Sequence, residues 1–113
     1  MADYVPVLRT AELGPGEMRE VAAHGEMLVL VNVGQTYYAL SARCRNDGVN
    51  LAREGRLQGD LLVCPHDGWS YELATGRRVD PSPGPGLERY AIRVEENEIR
   101  IGPPFRERRA GAA

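Results

Sequence analysis

Apolar and polar positions alternate in short runs along most of the chain, and glycine-bearing turns separate the runs. Residues 4–8 and 17–23 carry this period-two pattern and predict two strands around the turn Leu13-Gly14-Pro15-Gly16. Residues 27–33 differ: Met27, Leu28, Val29, Leu30 and Val31 follow one another without a polar interruption, which predicts a strand buried on both faces. His24-Gly25-Glu26 turns the chain into that run, and Gly34-Gln35 turns it out into residues 36–40, which are rich in β-favouring side chains. Residues 61–63 and 69–73 flank a hairpin tip at residues 64–68. Tyr90, Ile92 and Val94 alternate with Ala91, Arg93 and Glu95, and Glu96-Asn97 turns into Ile99 and Ile101, predicting a half-buried antiparallel pair. Only residues 50–55, ending at Gly55, read as a helical turn. The run Asp80-Pro81-Ser82-Pro83-Gly84-Pro85-Gly86 is excluded from helix and from a central strand, because proline lacks the donor that either ladder needs.

These elements predict an all-β antiparallel sandwich in one domain, residues 1–104. From Gly102-Pro103-Pro104 onward the chain has nothing to pack, and residues 105–113 read as a disordered tail. At 113 residues the chain can bury a modest core without disulfide staples. The net charge is -2, and the tail contributes +2 of it through Arg106, Glu107, Arg108 and Arg109, leaving the body at -4. That balance argues against nucleic acid. No basic segment followed by an apolar stretch opens the chain, and the run at residues 27–31 is too short to cross a bilayer, so a cytoplasmic protein with no membrane contact is expected. In a reducing compartment two cysteines point to metal ligands or free thiols before a structural disulfide.

The chemistry-bearing residues concentrate between Cys44 and Trp69. This stretch holds both cysteines, one of the two histidines and the single tryptophan. They fall in two loops of similar build, Cys44-Arg45-Asn46-Asp47-Gly48 and Cys64-Pro65-His66-Asp67-Gly68. A glycine after the cysteine and its polar neighbours supplies a positive-φ turn that lets the preceding side chains converge while backbone amides face inward. Seventeen residues separate Asn46 from Cys64, too many for a single zinc knuckle.

Cys44, Gly48, Cys64, Pro65, Gly68 and Trp69 resemble the cluster-binding region of Rieske-type ferredoxins, whose pattern is C-x-H, about seventeen residues, then C-P-x-H-G-W. The resemblance runs from Tyr4 to Ile101, and the proline-rich run falls where the family has a loop leaning over its cluster. It implies a Rieske-like antiparallel β-sandwich with a two-loop cluster-binding subdomain at one end. In the family two cysteines hold one iron and two histidines the other. Asn46 stands at the first histidine position and Asp67 at the second. A neutral amide is a poor donor to iron, whereas a carboxylate oxygen can ligate. His66 fills the variable position of the second motif.

Three functions follow from that ligand set. One is a cluster-free or altered-site accessory component of an oxygenase or reductase system, docking its protein partner at the loop tip, where Arg43 and Arg45 flank the motif. A second is an electron-transfer ferredoxin with a non-standard 2Fe-2S cluster on Cys44, Cys64, Asp67 and one of Asn46, Asp47 or His66. A third is a mononuclear zinc or iron site on Cys44, Cys64 and Asp67 or His66, which meets the ligand count of a tetrahedral centre. No nucleophile and base pair is apparent, so a free-standing enzyme is not expected. Blander readings apply to the rest: Trp69 packs under the loop, and His24 is a solvated turn residue.

Overall fold

The computed structural model describes residues 4–44, 48–65, 68–80 and 86–105. Among the described residues ten strands form two antiparallel sheets. The larger sheet contains β1 (Val5–Arg9), β2 (Met18–Ala23), β3 (Glu26–Val33), β4 (Thr36–Ser41), β9 (Arg89–Glu95) and β10 (Glu98–Pro104), in the order β1-β10-β9-β4-β3-β2. The smaller contains β5 (Arg56–Gln58), β6 (Leu61–Val63), β7 (Ser70–Glu72) and β8 (Arg78–Asp80), in sequence order. One short helix, α1 (Leu51–Glu54), precedes β5, and a 3-10 turn at Thr10–Glu12 follows β1.

The uninterrupted apolar run of β3 has the expected cause. Leu28 and Leu30 enter one core, where Val21, Ala39, Tyr90, Ile99 and Ile101 meet them. Val29 and Val31 enter the other, with Leu40, Ala42, Leu62, Tyr71 and Leu73. The first core draws residues from all six strands of the larger sheet, so that sheet is rolled around its own inner face. The second core lies between its outer face and the smaller sheet, and it contains both cysteines. Burying four such side chains on one strand removes each from water at about 1.5–3 kcal/mol apiece.

Three hairpins of the larger sheet close through two residues with positive φ: His24 and Gly25, Gly34 and Gln35, Glu96 and Asn97. Paired positive φ values match the right-handed twist of the flanking strands. Asn32, buried at the end of β3, serves two loops at once. Its Nδ2 donates to the Leu13 carbonyl at 2.9 Å and its Oδ1 accepts from the Gln35 N–H at 2.9 Å.

One expectation needs correction. Gly102-Pro103-Pro104 does pack: β10 continues to Pro104, which pairs with Tyr90 across a bulge that follows Ile101, and Gly102 is buried against the Tyr4 ring. A bulge is where a strand tolerates the missing proline donor. Phe105 also stays attached, its N–H donating to the Arg89 carbonyl at 2.7 Å and its ring 3.8 Å from the Arg89 guanidinium. Residues 106–113 of the expected tail lie outside the described residues. Residues 56–58 and 78–80, for which the sequence pattern predicted no element, are edge strands held by their partners β6 and β7.

Candidate functional site

Two strands of different sheets deliver the cysteines. β4 ends at Ser41; Ala42 donates to Met27 O at 3.2 Å and accepts from Leu51 N at 2.6 Å, which fixes the approach to Cys44. β6 ends at Val63, immediately before Cys64, and pairs with β7 in a hairpin whose Val63 and Ser70 partners lie next to the second loop. In the first loop Cys44 N–H donates to Val49 O at 2.9 Å, and Gly48 N–H donates to Cys44 O at 3.0 Å. In the second, Cys64 N–H donates to Trp69 O at 2.8 Å, and Gly68 N–H donates to Cys64 O at 2.9 Å. Gly48 and Gly68 have φ values of 75° and 77°. The two loops thus share one hydrogen-bonding plan and one glycine conformation.

No disulfide joins the two cysteines, and both are buried, Cys44 at 3% exposure and Cys64 at 0%. They belong to one apolar cluster with Leu51, Leu62, Tyr71, Leu73 and Leu87. The fully buried Tyr71 brings its hydroxyl to 3.4 Å from Cys44 Sγ, a hydrogen bond inside a low-dielectric core in which either atom can donate. Sequence reasoning did not single out Tyr71. Its signal was the alternation Trp69, Tyr71, Leu73, which sets it on one face of the strand leaving the second loop.

Surrounding contacts hold the loops. Asn50 forms an isolated bridge with Arg43, caps α1 by accepting from Ala52 N at 2.9 Å and Arg53 N at 3.3 Å, and donates through Nδ2 to Glu20 Oε2 at 2.9 Å. Arg53 Nε reaches Glu20 Oε1 at 2.8 Å. The Asn50 amide first, and then the Arg53 guanidinium, hold the Glu20 carboxyl below its ordinary value. Beyond the second loop, the half-buried Trp69 packs on the core, as expected, with the Arg78 guanidinium 4.3 Å from its ring centroid. The chain that returns from the proline-rich run is pinned where Leu87 N–H donates to Gly76 O at 2.7 Å. A Cβ on Gly86 would stand 1.9 Å from that same carbonyl, so only glycine fits.

Asn46, Asp47, His66 and Asp67, the other candidate ligands, lie outside the described residues, as do Arg45 and residues 81–85. Among the described residues no three His, Cys, Asp or Glu side chains come together. His24, expected in solvent, is exposed, but its Nε2 lies 3.0 Å from Ile101 O and its ring stacks parallel to Tyr90 at 6.4 Å. No helix among the described residues is long and apolar enough to cross a membrane.

Comparison with known proteins agrees with the fold. The chain is 27% identical to Ferredoxin CarAc of Metapseudomonas resinovorans, covering 87% of this chain and 92% of that protein. It is 33% identical to the 3-phenylpropionate/cinnamic acid dioxygenase ferredoxin subunit of Shigella flexneri serotype 5b, covering 69% and 74%. A match at 32% to cholesterol 7-desaturase of Hemicentrotus pulcherrimus covers 68% of this chain but only 17% of that larger protein. Among solved structures, the complex of reduced oxygenase and oxidized ferredoxin in carbazole 1,9a-dioxygenase aligns with a TM-score of 0.79 at 27% identity, over 87% of this chain and 91% of that one. The Rieske 2Fe-2S domain family matches residues 3–91, most of the described fold and both cysteine loops. The chain belongs to the Rieske 2Fe-2S domain family.

Proposed function

We propose that this protein is a small Rieske-type, ferredoxin-like component of an oxygenase or reductase system, with an altered or empty cluster site, acting through a protein partner at its loop end. The observation that carries the reading is the pair of matching cysteine loops on a scaffold that spans almost the full length of a ferredoxin relative. On this reading the family scaffold and both thiol positions are kept, while Asn46 and Asp67 stand at the imidazole positions of the resembling pattern. Support for a protein partner comes from the ferredoxin and oxygenase complex among the similar structures. Arg43, Gly48, Pro65 and Gly68 are exposed around the loops, where a partner would meet them.

One observation favours a second reading, an electron carrier on non-standard ligands. The Tyr71 hydroxyl beside Cys44 Sγ is the kind of hydrogen bond to sulfur that tunes a thiolate-held centre. An anionic Asp67 ligand would lower the potential of such a centre and remove the ring nitrogens that make potentials follow pH. Iron and acid-labile sulfide in anaerobically purified protein separate the two readings. Substoichiometric iron and sulfide is the result expected for the accessory component. Stoichiometric iron and sulfide with a low, pH-independent potential would establish the carrier instead.

A further inference from the structure

The two cysteine loops share one hydrogen-bonding plan, but their supports differ. The second grows out of the β6 and β7 hairpin, so ladder pairing holds both of its stems. The stems of the first, residues 42–44 and 48–51, meet instead in the isolated bridge of Arg43 with Asn50 and in the bond from Leu51 N–H to Ala42 O, and the chain then enters the four-residue α1. We propose that Glu20 is a positioning residue for this loop, fixing from β2, through Asn50, the frame that carries Cys44. The inference rests on the reading that the cysteine loops are the working end of the protein.

Glu20 occupies a place where an apolar side chain would serve packing better. It pairs with Val29, on the face of β2 where Met18 packs onto the core that contains both cysteines, and its side chain is only 19% exposed. A carboxylate so far out of water needs partners. Both oxygens have them: Oε2 accepts from Asn50 Nδ2 at 2.9 Å and Oε1 from Arg53 Nε at 2.8 Å. The Arg53 side chain is 70% exposed, so water screens that pair and the Asn50 bond carries more of the coupling. The leading part of Asn50 in holding the Glu20 carboxyl low agrees with this. Asn50 passes the restraint on. Its Oδ1 caps α1, its backbone bridges Arg43, and the next residue, the fully buried Leu51, shares a core cluster with Cys44. The bond from Glu20 thus reaches the residue before Cys44, and it bears on where Cys44 Sγ stands against the Tyr71 hydroxyl.

The test separates the two tasks of Asn50. Asn50→Asp keeps an N-cap acceptor for α1 but sets a second carboxylate against Glu20. Adding Glu20→Gln restores the contact with donor and acceptor exchanged: the introduced amide oxygen serves Arg53, its nitrogen donates to the introduced carboxylate, and the total charge is that of the parent. Amide hydrogen exchange on the full chain, resolved to single residues by mass spectrometry, reads the stems whether or not a cluster is bound. In Asn50→Asp the Cys44 and Leu51 amides should exchange about tenfold faster or more, the scale of one charge-assisted hydrogen bond, while the Cys64 amide and those of β3 keep their rates. The exchanged pair should return both rates close to those of the parent. If Asn50→Asp does not fold, Glu20→Gln alone should give the same localised change, because its amide leaves one of the two donors unmatched whichever way it turns. Unchanged Cys44 and Leu51 amides, equal quickening in both loops, or an exchanged pair no slower than Asn50→Asp would overturn the proposal. Such a failure removes the role of Glu20 alone, because the accessory reading is decided separately by iron and sulfide.

Discussion

Cys44 and Cys64, drawn from different sheets, make the same two backbone hydrogen bonds, each donating to the carbonyl five residues on and accepting from the glycine four residues on. The match means that the two loops present their sulfurs from equivalent frames, and that the glycines set those frames. Gly48 and Gly68 both sit at positive φ with no atom within 4 Å of where a Cβ would stand. Gly48→Ala and Gly68→Ala should therefore each cost only left-handed backbone strain, about 1–2 kcal/mol. Gly86→Ala must instead displace the Gly76 carbonyl and should cost about 3 kcal/mol or more. Urea unfolding of the three variants checks the ranking, and an equal loss in all three would contradict it.

The Glu20 network predicts how stability responds to acid. The folded-state carboxyl titrates below its ordinary value of 4.5, so its contribution is fully present above that value and is lost as pH falls through the folded one. Glu20→Gln should lower the urea midpoint at neutral pH, and the gap to the parent protein should close as pH drops below the ordinary carboxylate range. A gap that stays constant into acid would show that the charge is not what Asn50 and Arg53 recognise.

Both thiols lie in one buried cluster, which suggests a bridge when no metal separates them. Molecular oxygen with a copper catalyst should take two electrons and two protons from Cys44 and Cys64 and join them. A loop of about twenty residues closed in this way would add a few kcal/mol, less any strain in the bond. Peptide mapping without reductant detects the linked fragments. Thiols that stay separate under every oxidant would place the two sulfurs beyond bridging distance.

Much of this architecture was legible because the strongest local signals coincide with the tertiary constraint. The unbroken apolar run of β3 could only serve a strand covered on both sides, and the repeated spacing of cysteine and glycine marked two equivalent loops. What escaped was fixed by partners rather than by local pattern. β5 and β8 are three residues each and mostly polar, so their strand character comes from pairing with β6 and β7. Residues 102–104 looked like a terminus, since glycine and two prolines carry no strand signal, yet the Tyr4 ring and the pairing with β9 hold them. The Tyr71 contact was hidden for a similar reason. Alternation placed the ring inward, but only the meeting of the two sheets put its hydroxyl against Cys44.

On the proposed reading, a cluster-ready Rieske scaffold carries changed ligands at two positions, Asn46 and Asp67. Side-by-side anaerobic reconstitution of the parent chain and of Asn46→His with Asp67→His tests it most directly, with iron, sulfide and potential measured against pH. The double variant should take up the family's 2Fe-2S centre, two iron and two sulfide per chain, with a potential that falls as pH rises, because both thiols and both turn glycines follow the resembling pattern on loops of one hydrogen-bonding plan. The parent chain should show no such pH-dependent centre. A folded double variant that stays colourless, or a parent chain that itself carries an imidazole-ligated cluster, would contradict the claim.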